Sequence, residues 1–135
     1  MKRKTRIILL SVAAAIALCV TAGAVIVQGI QKNLAALARM PIEDIPPAKV
    51  KDGVYVGEYT VFPVSARVEV TVKDSRIASA RIMKHQNGQG GAGEKAVSQA
   101  VEQNTLLVDT VAGATYSSKV LLKAMENALR QGLAP

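Results

Sequence analysis

The stretch Asp109-Thr-Val-Ala-Gly-Ala-Thr115-Tyr-Ser-Ser118 places an acid, a small flexible step and several hydroxyls directly ahead of an amphipathic helix. The first turn of a helix presents backbone N–H groups that have no partner within the helix, and the aligned peptide dipoles add partial positive charge there. Both effects favour an anion, so the chemistry this pattern points to is phosphate binding, with Thr115 carrying or contacting the phosphate. Gly113 and Ala114 leave clearance around that hydroxyl. Ser117 and Ser118 read as N-cap residues, and Thr115 is open to the same capping role. No His or Lys is placed predictably beside Thr115, so no nucleophile–base pair is evident and the chain does not read as an enzyme acting through its own hydroxyl.

Two other features bear on chemistry. Gly88-Gln-Gly90-Gly-Ala-Gly93 fits G-x-G-x-x-G, with Asp109 at about the offset of a ribose-binding acid. Its setting does not: the strand before it reads as antiparallel, and too little chain follows for a doubly wound sheet. The same stretch nearly reads as a P-loop, but Glu94-Lys95 replaces the Lys-Ser/Thr that such a loop requires. The remaining readings are a flexible loop or a loop that closes over a bound ligand. His85, the single histidine, stands at a strand end beside this loop. With no second His and no nearby Cys it does not make a metal site, leaving a structural role or a ligand contact.

The elements that must position these residues can be read from hydropathy and punctuation. Residues 7–27 run for 21 positions without a charge, enough for a helix of about 30 Å that spans a hydrocarbon core. Lys2, Arg3, Lys4 and Arg6 precede it, so residues 1–6 are expected to stay cytoplasmic, with the chain after the anchor outside. Cys19, the sole cysteine, lies within the run and excludes a disulfide framework. Leu18 before it is a poor fit to a lipidation site, and a membrane-buried thiol is the reading adopted. Residues 28–40 continue as a helix with Ile30, Leu34 and Leu37 on one side, and the Pro41 to Pro47 segment then acts as an extended spacer. The folded domain is expected over 49–135.

Within that domain, residues 53–61 are strand-like. Val68, Val70 and Val72 alternate with polar residues, and Lys73-Asp-Ser-Arg76 is a turn. Ala78, Ala80 and Ile82 alternate with Ser79, Arg81 and Met83. The expected fold is a small α+β domain, a three-stranded antiparallel sheet with two packed helices, preceded by one N-terminal transmembrane helix. The two helices are placed at 94–103 and 117–131, with a short strand at 105–108. The second helix buries Leu121, Met125, Ala128 and Leu129 and turns Lys119, Lys123, Glu126 and Arg130 to water, with Gly132 as its C-terminal cap.

The net charge of +7 does not signal nucleic acid: four cations precede the apolar run, and from Lys49 onward there are eleven Lys/Arg against eight Asp/Glu. No basic stripe with interleaved aromatics is present; Tyr55, Tyr59, Phe62 and Tyr116 are the only aromatic residues.

The domain resembles the FMN-binding domain family, which includes the flavinylated C subunit of sodium-translocating NADH:quinone reductase and the G subunit of Rnf electron-transport complexes. The resemblance rests on Asp52-Gly-Val-Tyr-Val-Gly-Glu58, on the Val-rich strand entering Lys73-Asp-Ser-Arg-Ile77, on Ile82-Met-Lys-His85, and most specifically on Asp109-x-x-Ala-Gly-Ala-Thr115-Tyr-Ser-Ser118. The family pattern there is Asp, two residues, Ser or Thr, then Gly-Ala-Thr; Ala112 stands at the Ser/Thr position. The resemblance implies FMN as cofactor, joined to Thr115 by a phosphodiester that a separate flavin transferase makes from FAD. It implies electron transport, with a membrane redox partner or quinone-linked reductase on one side and an extracytoplasmic acceptor on the other. The cofactor-binding set it implies is Thr115, Gly113, Ala114, Tyr116, Ser117, Ser118, Asp109 and His85, with Tyr55 and Tyr59 as further candidates for touching the ring. The alternative function is an anchored, non-redox module that binds another phosphorylated ligand or a protein.

Overall fold

The computed structural model describes residues 2–86 and 90–133. The chain divides into two compact units, residues 1–32 and 33–135. The first is the bulk of helix α1, Arg3–Arg39, whose apolar residues from Ile7 to Val27 are almost all exposed. That helix is long and apolar enough to cross a membrane.

The second unit is built on a three-stranded antiparallel meander in the order β1-β2-β3. Strand β1 is Gly53–Val61, β2 Val64–Lys73 and β3 Arg76–Gln86. In β2 the expected alternation holds: Ala66, Val68, Val70 and Val72 are buried, while Arg67 and Glu69 form ion pairs on the opposite face with Glu58 and Arg81. In β3 the alternation is broken twice. Arg67 pairs with Lys84 but Val68 with Ile82, leaving Met83 as an extra residue; Thr71 pairs with Ser79 but Val72 with Ile77, leaving Ala78 extra. Each bulge shifts which side chains face inward. The inward set becomes Ile77, Ala80, Ile82 and His85, and Ala78, expected inside, is exposed.

The inner face is covered by α2, Lys95–Gln103, and α3, Thr115–Gln131, with a 3-10 turn at Gly90–Glu94 leading into α2. Residues 87–89 of the expected glycine-rich loop lie outside the described residues. Helix α3 approaches β1 so closely that a Cβ on Gly57 would lie 2.0 Å from the Ala124 carbonyl oxygen. Its Asn127 and Gln131 side chains donate to the carbonyls of Glu58 and Val56, covering the free edge of β1. Gly132 does follow the helix, but with φ of −97° it is no left-handed cap. Glycine is required there because a Cβ would lie 2.4 Å from the Tyr55 ring.

Residues 40–46 are extended, as their prolines dictate, but they are not a free spacer. They lie along the side of α3 away from the sheet, with Leu37, Ile45 and Pro47 buried. Polar contacts hold them there. The Lys119 ammonium donates to the Met40 carbonyl at 3.0 Å, and the Glu43 N–H to Glu126 Oε2 at 3.0 Å. Asp44 Oδ1 accepts from Thr105 Oγ1 and the Leu106 N–H. The strand expected at 105–108 is therefore absent, because this backbone satisfies itself on a side chain rather than a neighbouring strand.

Covered on both sides, α3 buries Val120, Leu122 and Ala124 besides the expected stripe, and also Glu126, expected at the surface. Glu126 is fully buried and accepts from Lys123, Arg130 and the Glu43 N–H. Arg130 also reaches Glu43. Burial alone pushes the Glu126 carboxyl up, but these hydrogen bonds outweigh it and hold the carboxyl below its ordinary value. A folded-state value below the unfolded one means stability that is complete above about pH 4.3, the ordinary value for Glu, and lost as pH falls through the depressed folded value. Chemical denaturation of the full chain in detergent should show this acid-side loss. Glu126→Gln should flatten it and cost about 2 kcal/mol near neutrality, by removing charge-assisted bonds from a buried site.

Candidate functional site at the start of helix α3

The segment before α3 is a tight turn. The Ala114 N–H donates to the Val111 carbonyl at 2.9 Å, and Gly113 has φ of +78°. Positive φ at the third residue of such a turn is the type II signature, and glycine takes it without strain. Helix α3 then begins at Thr115, not at Ser117: Ala114 occupies the N-cap position, and no side chain caps the helix. Ser117 and Ser118 lie inside the first turn and are buried.

Ser118 has a different task from the expected cap. Its Oγ donates to the Ala114 carbonyl at 2.8 Å and accepts the Val111 N–H at 3.1 Å. One buried hydroxyl thus ties both ends of the turn to the helix and fixes the backbone from which Thr115 projects. Sequence reading found the residue but misjudged the role, because a serine two positions further into a helix carries the same local signal as a serine cap.

Thr115 is half-buried, Tyr116 is 40% exposed, and Asp109 is exposed. Among the described residues no side chain is hydrogen-bonded to the Thr115 hydroxyl. The first turn of α3 contains no Asp or Glu. An uncapped helix start, a hydroxyl with no side-chain partner among the described residues and a first turn without a carboxylate form a donor set that fits a phosphate. Lys119, one turn on, is half-buried and holds the Met40 carbonyl.

His85 reaches this region indirectly. The bulge at Met83 turns it inward, its side chain is only 2% exposed, and Nδ1 lies 3.0 Å from Glu94 Oε1. The neighbouring Gly93 packs on the start of α3, where a Cβ would stand 2.9 Å from Ser117 Cβ and 2.9 Å from the Ser118 amide nitrogen. The tight approach explains the glycine without any nucleotide fingerprint. Tyr55 and Tyr59 are occupied elsewhere: Tyr55 donates to the Lys51 carbonyl and Tyr59 to the Met40 sulfur. Among the described residues no cluster of His, Cys, Asp or Glu could hold a metal ion.

The turn and its tie are directly testable. Gly113→Val should cost about 1–2 kcal/mol, the penalty of left-handed backbone for a branched residue. Ser118→Ala should cost about 1–2 kcal/mol through the unpaired Val111 N–H. Thermal melts check both, and both variants should take up less FMN per mole of folded protein.

Residues 65–130 match the family model described as the FMN-binding domain. The match runs from β2 into the last turn of α3 and contains the whole turn and helix start described above. No curated protein and no solved structure matches the chain. Residues 65–130 thus carry the FMN-binding domain that the residue pattern around Thr115 had implied, and FMN is the cofactor this match indicates.

Proposed function

We propose that this member of the FMN-binding domain family is a membrane-anchored electron carrier whose FMN is joined covalently to Thr115. The observation that carries the reading is the unsatisfied helix start beneath a clear threonine hydroxyl, within the stretch that matches the family. In the attachment step Thr115 Oγ forms a bond to the flavin-side phosphorus of FAD and the pyrophosphate bond breaks. AMP leaves, and the hydroxyl proton passes to a base on the transferase. A transferase supplies that base, since among the described residues no basic side chain is hydrogen-bonded to the hydroxyl.

Once made, the phosphodiester keeps one negative charge. The N–H groups of the first α3 turn and the helix dipole favour it there. Ser118 keeps the turn closed beneath it, and Gly113 keeps side-chain bulk away. The flavin ring supplies the one- and two-electron redox chemistry, while the chain holds it and tunes its surroundings. A tether maintains an effective concentration of about millimolar or more, so modest ring contacts suffice. That matters outside the cytoplasm, where lost FMN is not readily replaced. The four cations before the apolar run support a cytoplasmic N-terminus and a domain on the other side of the bilayer. The partners in this reading are a flavin transferase, a membrane flavoprotein or quinone-linked reductase as donor, and an extracytoplasmic acceptor.

Co-expression with a flavin transferase and denaturation should leave a yellow polypeptide heavier by one FMN unit. Thr115→Val should be colourless after denaturation, whereas Ser117→Ala should keep the adduct. A colourless wild-type chain beside an active transferase, or an unchanged adduct in Thr115→Val, contradicts the assignment.

A further inference from the structure

Strand β3 is the open edge of the sheet. The order β1-β2-β3 leaves one side of its backbone without a strand partner, and such an edge is a template for pairing with another chain. The β1 edge differs, because Asn127 and Gln131 cover it. On β3 the Ile77 N–H is met by Asn104 Oδ1 at 2.8 Å, and among the described residues no other hydrogen bond reaches the edge between residues 78 and 84. Between the two bulges, residues 79–82 keep regular pairing with β2, so this stretch offers an undistorted ladder side.

A groove follows that edge, with helix α2 as its far wall. Its widest part, about 530 Å³, is lined by Ala80, Ile82 and Val97, and also by Arg81, Glu94 and Lys95. A second part of about 280 Å³ shares Ala80, Val97 and Ser98 with the first. A third of about 400 Å³ shares Ala78, Val101 and Glu102 with the second and reaches Arg76. The groove therefore accompanies β3 from residue 76 to 82, a run of about 20 Å at the rise of a strand. Length beside an unpaired ladder is the shape of an extended chain.

Charge selects which chain. Strand β3 carries Arg76, Arg81 and Lys84 and no acid, and all three are exposed. Arg81 and Lys84 lie on the sheet face away from α3, opposite Glu69 and Arg67 on β2. A second copy of β3 pairing here would set cations against cations, which destabilises cross-strand pairs. A strand with carboxylates at alternate positions meets them with opposite charge. Its remaining side chains point to the other face. There they fall against Ala80, Ile82, Val97 and Val101, beside Glu94 and Glu102, which disfavour carboxylates on that side.

We infer that the β3 edge binds an extended segment of a partner protein, acidic and apolar at alternate positions, as an added strand of the sheet. Main-chain hydrogen bonds give the affinity, and the alternation gives the selectivity. This surface stands independently of the Thr115 assignment.

The test uses the full chain in detergent and a fluorescently labelled peptide, Gly-Glu-Val-Glu-Val-Glu-Gly, whose anisotropy should rise to saturation. Alternate N–H groups of an added strand face the edge. N-methylating one set, either the valines or the glutamates, should therefore abolish binding, and N-methylating the other should leave it. Arg81→Glu should weaken binding about fivefold and favour the peptide with lysine in place of glutamate. Lys51→Glu, an equal charge change at an exposed residue before β1, should alter nothing. Ser98→Phe fills the groove from an exposed position and should also weaken binding. No binding up to about 1 mM peptide, equal tolerance of both N-methylated peptides, or indifference to Arg81→Glu and Ser98→Phe overturns the proposal. Dimers of the chain that Ser98→Phe disrupts and the peptide does not displace put a second copy on the edge, and overturn it as well.

Discussion

Helix α3 is covered on two opposite sides, by the sheet and by residues 40–46, and the rest of the domain depends on that double burial. A helix packed on one face alone needs only one apolar stripe. Here the second cover forces a carboxylate inside, and Glu126 is tolerable only because Lys123, Arg130 and the Glu43 N–H meet it. Gly57 brings the helix against β1, and Asn127 and Gln131 pin it along the strand edge. With the helix axis fixed in this way, the position of its first turn is fixed as well, and with it the hydroxyl of Thr115.

The sequence was most legible where one face is wet and one dry. The Val-rich alternation of β2 and the Leu121, Met125, Ala128, Leu129 stripe both report a boundary between water and core, and both were found where expected. Alternation carries no information about bulges, so the inward turn of His85 was hidden behind a residue count that is off by one at Met83. Periodicity likewise cannot reveal a second covering layer. Lys123, Glu126 and Arg130 look like a solvated face, and only the tertiary path of residues 40–46 buries the middle one. The site followed the same division. The Asp-x-x-Ala-Gly-Ala-Thr pattern marked the segment that forms the turn and helix start, whereas the tie made by Ser118 depends on a turn geometry that residue types alone do not specify.

Function here follows from dividing the work of holding a cofactor. In the proposed reading, backbone N–H groups at the start of α3 meet the phosphate and the Thr115 hydroxyl supplies the covalent mooring. Neither needs a deep cavity, which suits a domain of this size, whose interior is largely filled by α3. The N-terminal helix is long and apolar enough to cross a membrane.

Phosphorus chemistry gives the most direct test of the mooring. A phosphodiester has no second ionisation, whereas free FMN or a phosphothreonine is a monoester that titrates near pH 6. The account predicts that matured, denatured and extensively dialysed protein shows one phosphorus resonance whose position does not change between pH 5 and pH 8, together with flavin absorbance of equal stoichiometry. A resonance that titrates across that interval, or flavin that dialyses away and leaves no phosphorus signal, would contradict it.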